Sequence, residues 1–85
     1  MNVSIDHPTN KPNFSEVQVG PVTLWFSYRT VIGFRAEGSP VVRENEWGPT
    51  TGRHMNEIPG GNDKAARLDS ASFTAALDAV LAGLG

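Results

Sequence analysis

The sequence predicts a small α+β domain: an antiparallel β-meander covered by one C-terminal α-helix, with a short helical turn after the last strand. Three observations lead there. Residues 14–45 alternate apolar and polar side chains in short runs punctuated by Gly, Pro and Thr, the pattern of half-buried strands. The period then changes, and Phe73, Leu77, Val80, Leu81 and Leu84 recur at helical spacing. The chain has 85 residues, the length of one domain, and twenty of them are Leu, Ile, Val or Phe, enough for a small core.

Residues 1–13 read as an N-terminal arm ahead of a single domain over residues 14–85. His7-Pro8 and Asn10-Lys11-Pro12-Asn13 make the stretch turn-rich, because each proline pushes its predecessor away from helix. Val3 and Ile5 alternate, so the first residues are able to add an edge strand. Residues 14–19 place Val17 and Val19 on one face and Glu16 and Gln18 on the other, and Gly20-Pro21 ends the run. Residues 22–28 are the clearest strand. Val22, Leu24, Phe26 and Tyr28 are expected to face the core, with Thr23, Trp25 and Ser27 opposite, where Trp25 is either covered by the arm or exposed to a partner. Residues 31–35 follow a tight connection at Arg29-Thr30, with Ile32 and Phe34 as the inward pair, and Gly38-Ser39-Pro40 turns the chain into a third strand over residues 41–45.

At the C-terminus Asp69 is the expected N-cap, with Ser70 as the alternative and Leu68 as the staple residue before it, and the helix runs over residues 71–82. Its outer face, Thr74, Ala75, Asp78, Ala79 and Ala82, carries one charge, which suits contact with a second copy of the chain as well as simple helix propensity. Residues 60–67 have the composition of a flexible connection. Gly60-Gly61 followed by Lys64 lacks the Lys-Ser/Thr pair of a phosphate-binding loop.

Residues 45–58 are dense in side chains that do specific local work. Thr50 or Thr51 is expected to cap a short helical turn over residues 52–58, with Met55 and Ile58 turned to the core. His54 lies one turn from Ile58 on the same side and hydrogen-bonds across the fold, while Asn45, Trp47 and Thr51 fix the loop. Asn45, Thr50, Thr51, Gly52 and His54 together read as a structural latch.

Five stretches occur in register: Phe26-Ser27-Tyr28, Thr30-Val31-Ile32-Gly33-Phe34, Val42-Arg43-Glu44-Asn45-Glu46-Trp47, Thr50-Thr51-Gly52-Arg53-His54-Met55-Asn56, and residues 67–77 with Phe73 near the helix start. This set, over roughly residues 24–80, resembles short domains of unknown function encoded by phages and mobile elements. The resemblance implies a phage-type origin and a sheet-plus-helix fold, and it brings no catalytic residue. The first twenty residues depart from it.

Composition narrows the function. There is no Cys and there are two His, which excludes thiolate zinc sites and thiol redox chemistry, and no metal or cofactor is expected. No apolar run approaches the ~20 residues that span a bilayer, so no membrane partner is expected. The residues from Met1 to Asp6 lack a basic region and an apolar run, and the expected location is the cytoplasm, that of the host cell if the chain is phage-encoded.

For catalysis the candidates are His54 as base, Glu57 or Asp63 to orient it, and Thr51 or Ser27 as nucleophile, but no spacing supports such a set, and a non-enzymatic protein is expected. Trp25, Arg29, Arg35, Arg43, Trp47 and Arg53 are the candidate binding residues, since Trp and Arg dominate interface energetics. The leading expectation is stoichiometric binding to a bacterial host protein or complex, as a host-takeover or anti-defence inhibitor, with a homodimer as a further possibility. The alternative is nucleic-acid binding by an Arg and aromatic sheet face. It ranks second because the net charge is −2 and Glu37, Glu44, Glu46 and Glu57 are interleaved with the arginines.

Overall fold

The structure, a computed structural model, describes residues 3–6 and 13–83. Five strands, β1 (Val3–Asp6), β2 (Phe14–Val19), β3 (Val22–Ser27), β4 (Thr30–Arg35) and β5 (Val41–Val42), lie in chain order in one antiparallel sheet. Helix α1 (Pro49–Glu57), a 3-10 turn over Lys64–Ala66 and helix α2 (Ser70–Ala82) follow. This is the α+β meander expected from the sequence, enlarged at two places. The sheet begins within the stretch read as an arm, because Val3–Asp6 pairs with β2, Val3 opposite Val19 and Asp6 opposite Glu16. Residues 1, 2 and 7–12 of that arm lie outside the described residues, as does Leu84. The helical turn expected after the sheet is a full helix of 9 residues, α1.

Both faces of the sheet are covered, and this changes the assignment of β3. Strand pairing puts Trp25 opposite Gly33 and Leu24 opposite Phe34, so Trp25 and Leu24 look to opposite sides. On one side Phe14, Trp25, Ile32 and Val42 pack with Met55 and Ile58 from the end of α1. On the other, Phe34 packs with Phe73 and Leu77 of α2, supported by Leu24, Val31, Val41 and Val80. Trp25 is therefore 3% exposed, a core residue and not a surface one. The covering element is α1, which alternation along β3 gives no means to anticipate. Burying each such large side chain stabilises the fold by about 1.5–3 kcal/mol relative to leaving it in water.

A bulge in β4 accounts for a second departure. Trp25 pairs with Gly33 but Phe26 pairs with Val31, so Ile32 is the extra residue and the alternation resets there. Ile32 consequently joins the Trp25 side while Phe34 joins the α2 side, although the two were expected to share a face. Gly33 makes this packing feasible: a Cβ there would lie 2.8 Å from Ile58 Cδ1 and 3.2 Å from the Val41 carbonyl oxygen.

Tyr28 is not inward but 56% exposed, because β3 ends at Ser27 and Tyr28 is the first residue of the turn into β4. Polar side chains close the rim of the Trp25 side. Trp25 Nε1 donates to Glu16 Oε1 at 2.9 Å, and the Thr23 hydroxyl donates to Gln18 Oε1 at 2.7 Å. The buried indole N–H is thus satisfied by the cross-strand neighbour directly opposite it.

Helix α2 starts as the sequence indicates. Asp69 is its N-cap, accepting from the Ser72 backbone N–H at 2.9 Å, and Leu68 packs beside Phe73 as the staple. The hydrogen bonds from the Ser72 hydroxyl and backbone hold the exposed Asp69 carboxyl below its ordinary range. Phe73, Ala76, Leu77 and Val80 form the inner stripe, but Leu81 is 38% exposed. Residues 60–67 are more ordered than their composition implies: Arg67 donates to the Gly61 carbonyl from Nε at 3.1 Å and Nη2 at 2.7 Å, tying the segment into a closed loop.

Candidate functional site

The segment joining the sheet to α1, together with α1 itself, carries most of the side chains singled out from the sequence. It divides them into two groups with different work.

The first group locks α1 onto the sheet. Gly48 is the N-cap and Pro49 the first helical residue, so Thr50 and Thr51 lie within the first turn and neither caps it. Thr51 and His54 point at the sheet and meet Ser27, the last residue of β3. Ser27 Oγ is 2.6 Å from His54 Nδ1 and 3.2 Å from Thr51 Oγ1. The His54 ring stacks on Phe14, with centroids 5.3 Å apart and planes 19° apart, and Tyr28 lies across it at 6.1 Å. Thr50 is exposed and stands outside this cluster, and Gly52 is half-buried beside Asn45. Asn45 works separately: its Oδ1 accepts from the Trp47 N–H at 2.9 Å and its Nδ2 donates to the Gly48 carbonyl at 3.0 Å, closing the loop that enters the helix. The latch is thus Ser27, Thr51 and His54 with Asn45 as a loop clamp. Ser27, read from the sequence as a conceivable nucleophile, is its centre.

The Ser27–His54 contact has the reach that a nucleophile and base need, but Ser27 is 2% and His54 4% exposed and Thr51 shares the same hydroxyl. Asp63, one of the candidate orienting carboxylates, caps the 3-10 turn by accepting from the Ala65 N–H at 3.2 Å. Among the described residues no three His, Cys, Asp or Glu side chains come together as a metal site, and no helix is long and apolar enough to cross a membrane.

The second group is the Trp and Arg set, and the structure separates its members. Arg29 lies in the turn before β4 and Arg35 at its far end, so the two stand at opposite ends of the strand. Arg35 is exposed, its guanidinium over the Trp25 ring at 6.0 Å from the centroid. Arg43 is packed into the fold: its side chain is 11% exposed, its guanidinium lies 4.8 Å from the Trp47 centroid and 5.4 Å from that of Phe73, and Nη2 donates to Ser70 Oγ at 2.7 Å. A weaker contact of 3.8 Å joins it to Glu46. The Arg43 backbone bridges to Leu68, with Glu44 N–H donating to the Leu68 carbonyl and Leu68 N–H to the Val42 carbonyl. Arg43 therefore clamps the end of the sheet to the start of α2. The Arg and aromatic sheet face of the nucleic-acid alternative does not form, because Trp25 is buried and Arg43 is packed at the end of the sheet.

Trp47 and Arg53 remain at the surface. Trp47 is 49% exposed, held from below by Arg43 and from its backbone by Asn45. On either side of it in the chain, Asn45 and Pro49 line an open groove of about 630 Å³ that runs between α1 and the segment carrying Lys64 and Arg67. Arg53 and Asn56 form its α1 wall, and Glu44 is the one carboxylate in its lining. Arg67 is committed to the Gly61 carbonyl and to Asn56 Oδ1 at 3.2 Å. Arg53 and Lys64 are exposed, and among the described residues neither has a carboxylate within ion-pair distance. Sequence reasoning missed Lys64, Arg67 and Asn56 as parts of one surface, since only the closed loop over residues 60–67 brings Lys64 and Arg67 opposite Asn56 on α1.

The sequence model of one family, described as a family of unknown function (DUF8033), matches residues 5–75, from β1 into the first turns of α2. No curated protein and no solved structure matches the chain.

Proposed function

The chain belongs to the DUF8033 family of unknown function, and we propose that it acts as a non-enzymatic, stoichiometric protein-binding domain whose contact surface is the Trp47 loop with the adjoining groove. The observation that carries this reading is the state of Trp47. A large indole is left 49% exposed yet is held in one place, with Arg43 beneath the ring and Asn45 fixing the backbone. Binding surfaces are built around aromatic side chains of this kind, because a ring already ordered in the free protein loses little further freedom in the complex. The Ser27, Thr51 and His54 cluster acts here as structure, setting the helix that forms one wall of the groove.

In this reading the partner is a bacterial host protein, met in the host cytoplasm by a phage-type factor that blocks it. Support for the phage setting is the in-register set of five motifs over roughly residues 24–80, and for an anti-defence role it is only the association of such domains with phages. The test is capture from bacterial lysate by the immobilised protein, with and without nuclease. A protein retained in equal amount after nuclease treatment and recovered at one-to-one stoichiometry supports the proposal. Recovery of nucleic acid alone, lost as salt rises from about 50 to 200 mM, replaces it with the nucleic-acid reading.

A further inference from the structure

The geometry points to a specific chemistry for that surface: the groove between α1 and the Lys64–Ala66 turn takes the carboxylates of an acidic segment of the protein partner, which Arg53 and Lys64 meet. The inference rests on the protein-binding reading and adds the partner's chemistry to it.

Charge complementarity selects the occupant. The chain as a whole carries a net charge of −2, yet the groove is lined by Arg53, Lys64 and Arg67 against the single carboxylate of Glu44. Arg67 already donates to Gly61 and Asn56, so its work is to hold the wall. Arg53 and Lys64 are the two lining cations left with no carboxylate of the described chain within ion-pair distance. Two exposed cations on facing sides of a groove attract incoming carboxylates and favour one register for them. The Asn56 amide on the same wall is placed to hydrogen-bond a peptide backbone.

The same lining disfavours nucleic acid. No aromatic ring lines the groove to stack a base, Glu44 repels a continuous phosphate backbone, and two available cations neutralise few phosphates. An acidic peptide tolerates Glu44, which accepts backbone N–H groups or a basic side chain within the segment. The open volume of about 630 Å³ fits a few residues of extended chain.

The experiment is an NMR titration of the ¹⁵N-labelled protein with a synthetic hexaglutamate peptide, and separately with inorganic phosphate and a single-stranded oligo-dT. The expected result is saturable shifts at Gly52, Arg53, Asn56 and Lys64 with the peptide, weakened about tenfold or more in the double variant Arg53→Glu/Lys64→Glu. Both side chains are exposed, so the variant keeps its thermal midpoint and its loss of binding reads on the groove. Peptide shifts that survive the double reversal, or that fall elsewhere, overturn the inference. So does tighter binding of oligo-dT, or an equal response to inorganic phosphate, which makes the groove a general anion cradle. Capture of a protein that Trp47→Ala abolishes and the double reversal leaves intact removes the acidic segment while keeping the protein-binding reading. No capture by wild type removes both.

Discussion

Ser27 Oγ and His54 Nδ1 lie 2.6 Å apart in the core although 27 positions separate them in the chain. This contact fastens the last residue of β3 to the middle of α1, and through α1 it sets the wall of the groove and the loop that presents Trp47. With Phe14 stacked on the imidazole and Thr51 on the same hydroxyl, the arrangement is a polar pin through an apolar layer. Such a pin stabilises only when each member keeps its partner.

His54→Ala therefore destabilises the domain by about 1–3 kcal/mol, because the Ser27 hydroxyl loses its strongest partner in a buried site. Urea denaturation of His54→Ala, Ser27→Ala and the double variant checks this. The two single effects overlap, and the cycle gives a coupling of about 1 kcal/mol. A His54→Ala protein that remains fully folded but no longer binds its partner contradicts the latch assignment.

Gly20 and Tyr28 both occupy the first position of a tight turn between paired strands, and both have φ 57°. For Gly20 that conformation is free, whereas for Tyr28 it costs about 1–2 kcal/mol. Tyr28→Gly is expected to leave stability within about 1 kcal/mol of the parent, the relief of strain offsetting the lost contact with His54 and the entropy of glycine. Tyr28→Val, β-branched at the same backbone, falls below Tyr28→Gly by about 1–2 kcal/mol. Equal urea midpoints for the two variants contradict the turn geometry.

Asp69 makes α2 sensitive to acid. Its carboxyl is held below the reference value of 3.8 by the hydrogen bonds with Ser72. The folded state thus favours the ionised form, and the cap's contribution is fully present above pH 3.8 and is lost as pH falls through the lower folded value. Asp69→Asn, which caps without titrating, should keep its thermal midpoint over that acid interval better than the parent does, relative to each protein at neutrality. Identical pH profiles contradict the cap as a source of acid sensitivity. The site is exposed, so salt weakens the difference.

How far these features are legible in the sequence depends on how local they are. Helix α2 is readable because Asp69, Leu68 and the stripe from Phe73 to Val80 lie in one continuous segment with one period. The meander is readable for the same reason. Trp25 is misread because alternation separates two faces without saying which is covered, and here α1 covers the second. Ile32 and Phe34 are misread because a bulge shifts the period by one residue and leaves no compositional mark beyond Gly33.

The candidate site divides in the same way. Asn45 as a loop clamp and His54 as a cross-fold hydrogen-bonding group follow from residue type and spacing within residues 45–58. The place of Ser27 in the latch and of Lys64 in the groove follow from tertiary packing alone. Residues 60–67 look flexible because glycine usually supplies freedom, but Gly61 is buried where a Cβ would overlap the Met55 carbonyl. It is glycine for close approach, and Arg67 fastens the loop to it.

The proposed binding surface depends most directly on Trp47. The decisive measurement is capture of a lysate protein by immobilised wild type and by Trp47→Ala, after nuclease treatment and with the thermal midpoints of both proteins recorded. Trp47 is half-exposed, so the variant should stay folded while the captured protein is lost or its affinity falls by about tenfold or more, the cost of removing a central aromatic contact. Undiminished capture by a folded Trp47→Ala protein contradicts the proposed surface.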